Sequence, residues 1–184
     1  MAWLILALLI AVSVFAIVLY NALVKKRQMV AEGWSGIDVQ LKRRANLIPN
    51  LVETVKGYTS HENETLTSLT ELRAQVGALP SEDVAARALK ETALSQALGR
   101  LFAVAEAYPD LKASQNFSEL HQSLDEIENA IQMARRYYNG AVRNLNVAVE
   151  SFPSNIIASQ FKFEKAEYFE IEDDADRAVP DVKF

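Results

Sequence analysis

The sequence predicts an all-α chain. An N-terminal transmembrane helix continues into an antiparallel four-helix-type bundle and ends in an extended aromatic and acidic C-terminal tail. Three observations predict it. Residues 2–24 hold no charged side chain. Apolar residues then recur at threes and fours through four later stretches, the spacing of one face of a helix. Runs that alternate apolar and polar, as strands do, are scarce. The implied segments are a span over 2–24, a helical bundle over 25–160 and a tail over 161–184, aromatic first and then acidic.

The span reads AWLILALLIAVSVFAIVLYNALV. As a helix it is about 34 Å long, enough to cross a hydrocarbon core of about 30 Å with some tilt. In lipid its backbone groups can pair only with each other, so helix is nearly forced. Trp3 and Tyr20 stand near its two ends, where amphipathic rings prefer the interfaces. Lys25, Lys26 and Arg27 stop it. The apolar run exceeds a normal signal-peptide core, and no good small-x-small cleavage site precedes Lys25, so an uncleaved anchor is expected. With Lys42, Arg43 and Arg44, the basic flank predicts a bundle in the cytoplasm and an N-terminus outside.

The helical pattern does not stop at the basic flank. Val30, Trp34, Ile37, Leu41, Ile48, Val52, Val55 and Tyr58 form one stripe, with one position skipped near Arg44 and Ala45. The span therefore reads as the first half of one rod. Gly33 and Gly36 mark either a hinge or close packing against a neighbour. Pro49 removes one backbone donor and is expected to kink the rod. Gly57 to Asn63 reads as a break. Leu66, Leu69, Leu72, Val76 and Leu79 make a second stripe, ended by Pro80. Ser81, followed by Glu82 and Asp83, reads as the next helix start. Val84, Ala88, Leu94, Leu98, Leu101, Ala105 and Tyr108 make the third stripe, which Pro109 ends, and Ser114 offers a further cap.

The last helix is the most regular. Phe117, Leu120, Leu124, Ile127, Ile131, Ala134, Tyr138, Ala141, Leu145, Ala148 and Phe152 alternate spacings of three and four. That is a seam of about five heptads, of the kind that packs in a bundle or coiled coil. Pro153 closes it. Phe161, Phe163, Tyr168, Phe169 and Ile171 then suit an extended segment laying aromatic side chains on the bundle, or a ribbon paired with a partner. Beyond Glu172 the chain is acidic and poor in apolar residues, so it is expected to be mobile unless bound.

Composition excludes several functions. Cysteine is absent, which rules out disulfides, thiolate metal sites and a cysteine nucleophile. Net charge is −5, and the segment from Glu164 onward, with 3 basic and 8 acidic side chains, carries all of it. A neutral body with an acidic tail does not predict nucleic-acid binding. His61 and His121 are the two histidines, and neither has a Glu three residues before it. No His-Glu-x-x-His, phosphate loop, dinucleotide fingerprint or Gly-x-Ser-x-Gly elbow occurs. A solvated role is expected for the histidines. No catalytic residue, metal or cofactor is assigned, and the chain does not read as an enzyme.

One polar pattern stands out. Glu128, Gln132, Arg135, Asn139 and Asn146 share a stripe about 100° round from the apolar seam of the last helix. Such a stripe pairs with another helix and fixes its register, or lines a polar cleft. Arg43, Arg44 and Asn46 on the first rod, or Arg73 and Glu106 on the middle helices, are the candidate partners.

Several motifs together resemble the LemA family of bacterial membrane proteins. They are Tyr20-Asn21-x-Leu23-Val24; Asp38-Val39-Gln40-Leu41-Lys42-Arg43-Arg44 running into Asn46-Leu47-Ile48-Pro49-Asn50-Leu51-Val52; Val55-Lys56-Gly57-Tyr58; Ala105-Glu106-Ala107-Tyr108-Pro109-Asp110-Leu111-Lys112; Glu128 with Ala134-Arg135-Arg136-x-Tyr138-Asn139; and Phe152-Pro153. Asn46 stands where the family more often has Asp, and the lipobox cysteine of some members is absent. The resemblance implies an N-terminally anchored antiparallel bundle in the bacterial cytoplasmic (inner) membrane, with no established enzymatic activity. Its members often occur near membrane zinc peptidases, and one branch takes part in magnetosome membrane formation.

The resulting expectation is a membrane-anchored scaffold or adaptor. It would self-associate and engage an envelope-maintenance partner such as a membrane zinc peptidase. The structural or partner-contact candidates are Arg43, Arg44, Pro49, Asn50, Glu106, Tyr108, Glu128, Arg135, Tyr138 and Asn139. The alternative is a sensor or binding module that holds a ligand or peptide with Arg43, Arg44, Glu106, Glu128 and Arg135.

Overall fold

A computed structural model of the chain describes residues 1–59, 63–80 and 83–170. Six helices run through them: α1 (Ala2–Lys56), α2 (Asn63–Ala78), α3 (Val84–Ala105), α4 (Pro109–Lys112), α5 (Gln115–Glu150) and α6 (Ser154–Gln160). No strand occurs among the described residues, and residues 163–170 are extended without regular pairing. The all-α expectation holds, and α1 is one uninterrupted helix from the apolar run through the basic flank and Pro49 to Lys56. The acidic segment beyond Glu170, with His61 and Ser81, lies outside the described residues.

The chain divides into two compact units, one of residues 1–37 with 132–168 and one of residues 38–131 with the segment from 169 onward. Helices α1 and α5 contribute to both. The second unit holds the larger core. Ile48, Leu51, Val52 and Val55 of α1 bury themselves against Leu66, Leu69 and Val76 of α2, Leu94, Leu98 and Leu101 of α3, and Phe117 and Leu124 of α5. All but Leu51 are residues that the stripes select, since a surface helix buries only the face on which its apolar positions align. Leu111 of the short α4 plugs the same core.

The ends of these helices differ from expectation in three places. Asp83 is the N-cap of α3, its Oδ1 accepting from the Ala86 amide at 2.9 Å, so the cap falls two residues later than Ser81. Helix α3 stops at Ala105, and Tyr108 precedes Pro109 as the N-cap residue of α4. Proline suits the first helical position, where its missing N–H would be unpaired anyway, so Pro109 starts a helix as well as ending one. Helix α5 stops at Glu150, which removes Phe152 from the seam and leaves it 80 % exposed.

The first unit is built on a smaller apolar cluster. Leu23 of α1 is buried with Ala158 of α6 and Phe163, and Tyr20, Val24, Ala148, Val149 and Ile157 pack around them. Helix α6 was not legible in the sequence. It ends with Lys162 at φ 53°, where the Phe163 amide donates to the Ala158 carbonyl at 2.9 Å and the Lys162 amide to the Ser159 carbonyl at 3.3 Å. This is a left-handed helix stop of the Schellman type, with a lysine where glycine is usual. Its apolar contact is Phe163 against the cluster of Ala158. Gly33 resolves the hinge question for itself. A Cβ there would lie 3.0 Å from the Tyr138 Cα, so the residue is glycine because α5 packs onto it. Gly36 has open space beside it.

Candidate functional site

The most chemically loaded place in the chain is the gap in the first apolar stripe. Ile37, Leu41 and Ile48 are buried, and the position between them on that face is Arg44. Arg44 is 2 % exposed, so its charge has lost its water and requires a partner. Helix α3 supplies one at a matching gap. Glu91, 1 % exposed, sits between Ala88 and Leu94 on the buried face. Its Oε2 accepts from Arg44 Nη2 at 2.5 Å. Arg44 Nη2 also lies 3.4 Å from the Glu91 carbonyl oxygen. Arg44 Nη1 donates to Ser95 Oγ at 2.6 Å and to Glu128 Oε2 of α5 at 2.7 Å. One guanidinium thus joins three helices.

The electrostatics are those of a buried cluster. Burial pushes the Glu91 carboxyl above its ordinary value, with Arg44 pulling it back down by charge and hydrogen bond, Arg87 adding to that pull, and Glu128 opposing it. Glu128 keeps partial access to solvent. Arg87, also buried, lies 3.2 Å from Asp38 Oδ1 as an ion pair without hydrogen-bond geometry. Lys42 reaches the other oxygen of Asp38 at 2.6 Å. Arg44 Nε, Arg87 Nε and Glu91 Oε1 find no hydrogen-bond partner among the described residues. Beside the cluster opens a groove of about 280 Å³ lined by Arg44, Ser95, Leu98, Phe102, Leu124 and Glu128.

Pro49 has a counterpart in the same unit. A proline at that position cannot donate to the carbonyl four residues earlier, that of Ala45. Arg73 of α2 reaches across and donates its Nε to the Ala45 oxygen at 2.9 Å. The side chain takes the place of the missing backbone donor, and α1 continues through the proline.

The remaining sequence candidates lie apart. Arg43 is exposed and, among the described residues, donates to Gln40 on its own helix at 3.1 Å. Pro49 and Asn50 are exposed, and Asn50 edges a shallow groove with Thr54, Asn116, Glu119 and Ser123. Glu106 is exposed and pairs with Lys112. Tyr108 packs against the core of the second unit. The expected pairing of the polar stripe on α5 with another helix holds for Glu128, which meets Arg44.

Elsewhere the polar groups of Tyr138 and Asn146 on α5 meet backbone and not another helix. In the first unit Tyr138 is buried, its ring 5.5 Å from Trp34, and its hydroxyl donates to the Glu167 carbonyl at 2.8 Å. Burial and the nearby Glu167 charge raise the Tyr138 pKa, which keeps that proton in place. Asn146 Nδ2 donates to the Ala166 carbonyl and its Oδ1 accepts from the Ala166 amide, both at 2.9 Å. Asn146 therefore holds an extended segment and not a helix, because a side-chain amide can match one residue's backbone pair. Arg135 and Asn139 line an open groove with Arg136, Arg143 and Tyr168. Of the aromatic segment expected to lie on the bundle, Phe163 and Phe169 are buried, Phe161 and Tyr168 are exposed, and Ile171 lies outside the described residues; Lys165 ties the segment to Glu150 at 2.7 Å.

Sequence reasoning missed Glu91, Ser95, Arg87 and Asp38. The signal was there for the first two, because Glu91 and Ser95 fall on the third stripe between Ala88 and Leu98. His121 is not simply solvated: its ring lies 4.2 Å from that of Phe102. Among the described residues no group of three or more His, Asp or Glu side chains is arranged to hold a metal ion.

Comparison with known proteins gives consistent matches. The chain is 25 % identical to the magnetosome protein MamQ of Magnetospirillum gryphiswaldense, covering 88 % of this chain and 71 % of that protein. It is 26 % identical to the magnetosome protein MamQ 2 of Paramagnetospirillum magneticum, covering 82 % of this chain and 64 % of that one. It is 26 % identical to protein LemA of Metamycoplasma hominis, over 76 % of this chain and 64 % of that one. The pattern of the LemA family matches residues 33–184, from just beyond the basic flank through both units. The chain belongs to the LemA family.

Proposed function

We propose that this chain is a membrane-anchored helical scaffold or adaptor that self-associates and engages an envelope-maintenance partner, a membrane peptidase being the leading class. The observation that carries the reading is the apolar run of α1. It is long enough to cross a membrane, and its most apolar stretch is not buried by any of the described residues. An apolar surface of that extent requires lipid or another protein against it. The buried charges around Arg44 support the same reading, since they are spent on joining helices. The membrane setting is also supported by relatives named for the magnetosome.

Lys25, Lys26 and Arg27 favour a cytoplasmic bundle in the inner membrane. Native mass spectrometry of the detergent-solubilised chain tests self-association, with dimers or higher species expected. A monomer at every concentration sinks that part. Crosslinking in intact membranes tests the partner, and an adduct with a membrane peptidase is the expected product. Topology is read by labelling a single cysteine placed at Leu89, exposed on α3, in a chain that has no other cysteine. Labelling from the outer face alone overturns the orientation.

A second reading rests on the groove beside Arg44 and Glu128, whose mixed apolar and charged lining suits a small ligand or peptide. Charge removal at Glu128 would then abolish binding while leaving the bundle folded. If the same change only lowers stability, the groove is a by-product of packing.

A further inference from the structure

We propose that the turn between α5 and α6 is a second membrane contact, in which Phe152, Ile156 and Phe161 insert into the lipid interface beside the span. The inference rests on the anchored reading above and concerns the first unit alone. Phe152, Ile156 and Phe161 are 80 %, 59 % and 56 % exposed, three large apolar side chains within ten residues of one another. Their level along α1 is fixed by contacts. Helices α1 and α5 are antiparallel there, with Gly33 against Tyr138 and Leu23 beside Ala148 and Val149. That register carries the end of α5 and Phe152 to the level of Leu19, one turn inside the apolar run. Phe161 meets the Tyr20 ring at 4.9 Å, and Ile157 and Ala158 pack at Leu23.

The exposure of the span records the same overlap. Ala16, Leu19 and Tyr20 are partly covered, on one stripe that continues to buried Leu23, while their neighbours facing other directions are exposed. The turn therefore reaches past the basic flank and lies against residues that would sit in the bilayer. Any membrane that accepts the span must also meet this turn. Apolar side chains at that depth enter the acyl boundary, as in helices that lie in the interface plane. Arg27, stacked over the Phe163 ring at 5.0 Å, stands at the level of the headgroups.

The test uses the full chain in phospholipid vesicles and single cysteines carrying an environment-sensitive fluorophore, with lipids that bear a quencher on the acyl chain. Sites are Phe152→Cys, Ile156→Cys, Val12→Cys within the span and Leu89→Cys on exposed α3. The expected result is blue-shifted emission and acyl-chain quenching at 152 and 156 comparable with that at 12, and neither at 89. Quenching at 12 with aqueous emission at 152 and 156 overturns the second contact and leaves the anchor standing. A blue shift at 152 and 156 without lipid quenching means another protein covers the turn, which also overturns it. No quenching at 12 removes the anchored reading and this inference with it.

Discussion

The Arg44 network shows how one residue type can be read from a gap. The first stripe skips near Arg44, and the third stripe carries Glu91 where an apolar residue is due. Two gaps on helices that face one core mark a buried ion pair, because a buried charge survives only beside its opposite. What the sequence could not reveal was which carboxylate met which arginine, since that depends on how the helices are rotated. The pair makes a pH-dependent prediction. Replacing Arg44 by Met leaves Glu91 buried and unpaired, and is expected to cost about 3–5 kcal/mol at neutral pH. In the native chain burial already raises the Glu91 pKa above the ordinary 4.5. The folded state thus holds that proton more tightly than the unfolded chain. Glu91's own contribution to stability is complete below 4.5 and is lost as pH rises through the raised value. Without Arg44, the pull that opposes burial is gone and the pKa rises further, so the penalty of Arg44→Met is expected to shrink as pH falls toward 4.5. Urea denaturation at several pH values measures this; a penalty independent of pH contradicts it. Changing Glu91 to Leu in the same chain should recover most of the loss, since Glu128 can turn to solvent. Arg73 gives a second test at this scale. Arg73→Ala leaves the Ala45 carbonyl short of a donor and is expected to cost about 1–3 kcal/mol. The cost should fall in a Pro49→Ala chain, where the restored amide serves that carbonyl. A double-mutant cycle with no coupling rules out the substitution of one donor for the other.

Helices were the legible part of this chain wherever packing obeyed a period. Nearly every stripe position on α1 from Ile37 to Val55, on α2 and on α3 is buried or partly buried, because period and burial are the same fact for an amphipathic helix. Legibility failed where the structure depends on single contacts. Helix α6 is seven residues long, too short for a periodic signal, and it is held by Leu23 from far along the chain. Phe152 looked like the last position of the seam, yet the helix had already ended at Glu150. Asn146 looked like a helix-pairing residue, yet its partner is the backbone of Ala166, since an amide serves either purpose. That contact carries a prediction for the extended element. Asn146→Leu removes a donor and an acceptor together and leaves the Ala166 backbone pair without them. It is expected to loosen residues 164–168 at a cost of about 1–3 kcal/mol. Hydrogen exchange at the Ala166 amide should rise in the variant while the amides of α3 stay protected. Asn146→Asp keeps the acceptor and should show an intermediate effect; unchanged exchange in both variants means the segment is held elsewhere.

Across the whole chain, the apolar run and the helical body share residues. Tyr20, Leu23 and Val24 are the last residues of the uncharged stretch, and they also pack with Ala158 and Phe163 in the first unit. The family pattern matches residues 33–184, so Tyr20, Leu23 and Val24 lie ahead of the matched stretch while Ala158 and Phe163 lie within it. A sequence reader places the boundary at Lys25 because charge changes there, whereas packing extends at least to Ala16. The two criteria predict different behaviour for shortened chains. A chain starting at Lys25 lacks Leu23, whose full burial contributes about 1.5–3 kcal/mol, and lacks the Tyr20 ring that Phe161 and Phe163 meet. Its α6 and the turn at Lys162 are expected to fray, with fast amide exchange from Ile157 to Phe163. A chain starting at Val14 keeps Ala16, Leu19, Tyr20 and Leu23 and should retain that protection. Both should keep the larger core intact, since Ile48 to Val55 and their partners on α2, α3 and α5 are untouched. Equal protection of α6 in the two chains would show that the turn is stable without the end of the span. Loss of α6 protection confined to the shorter chain places the working edge of the folded body inside the apolar run.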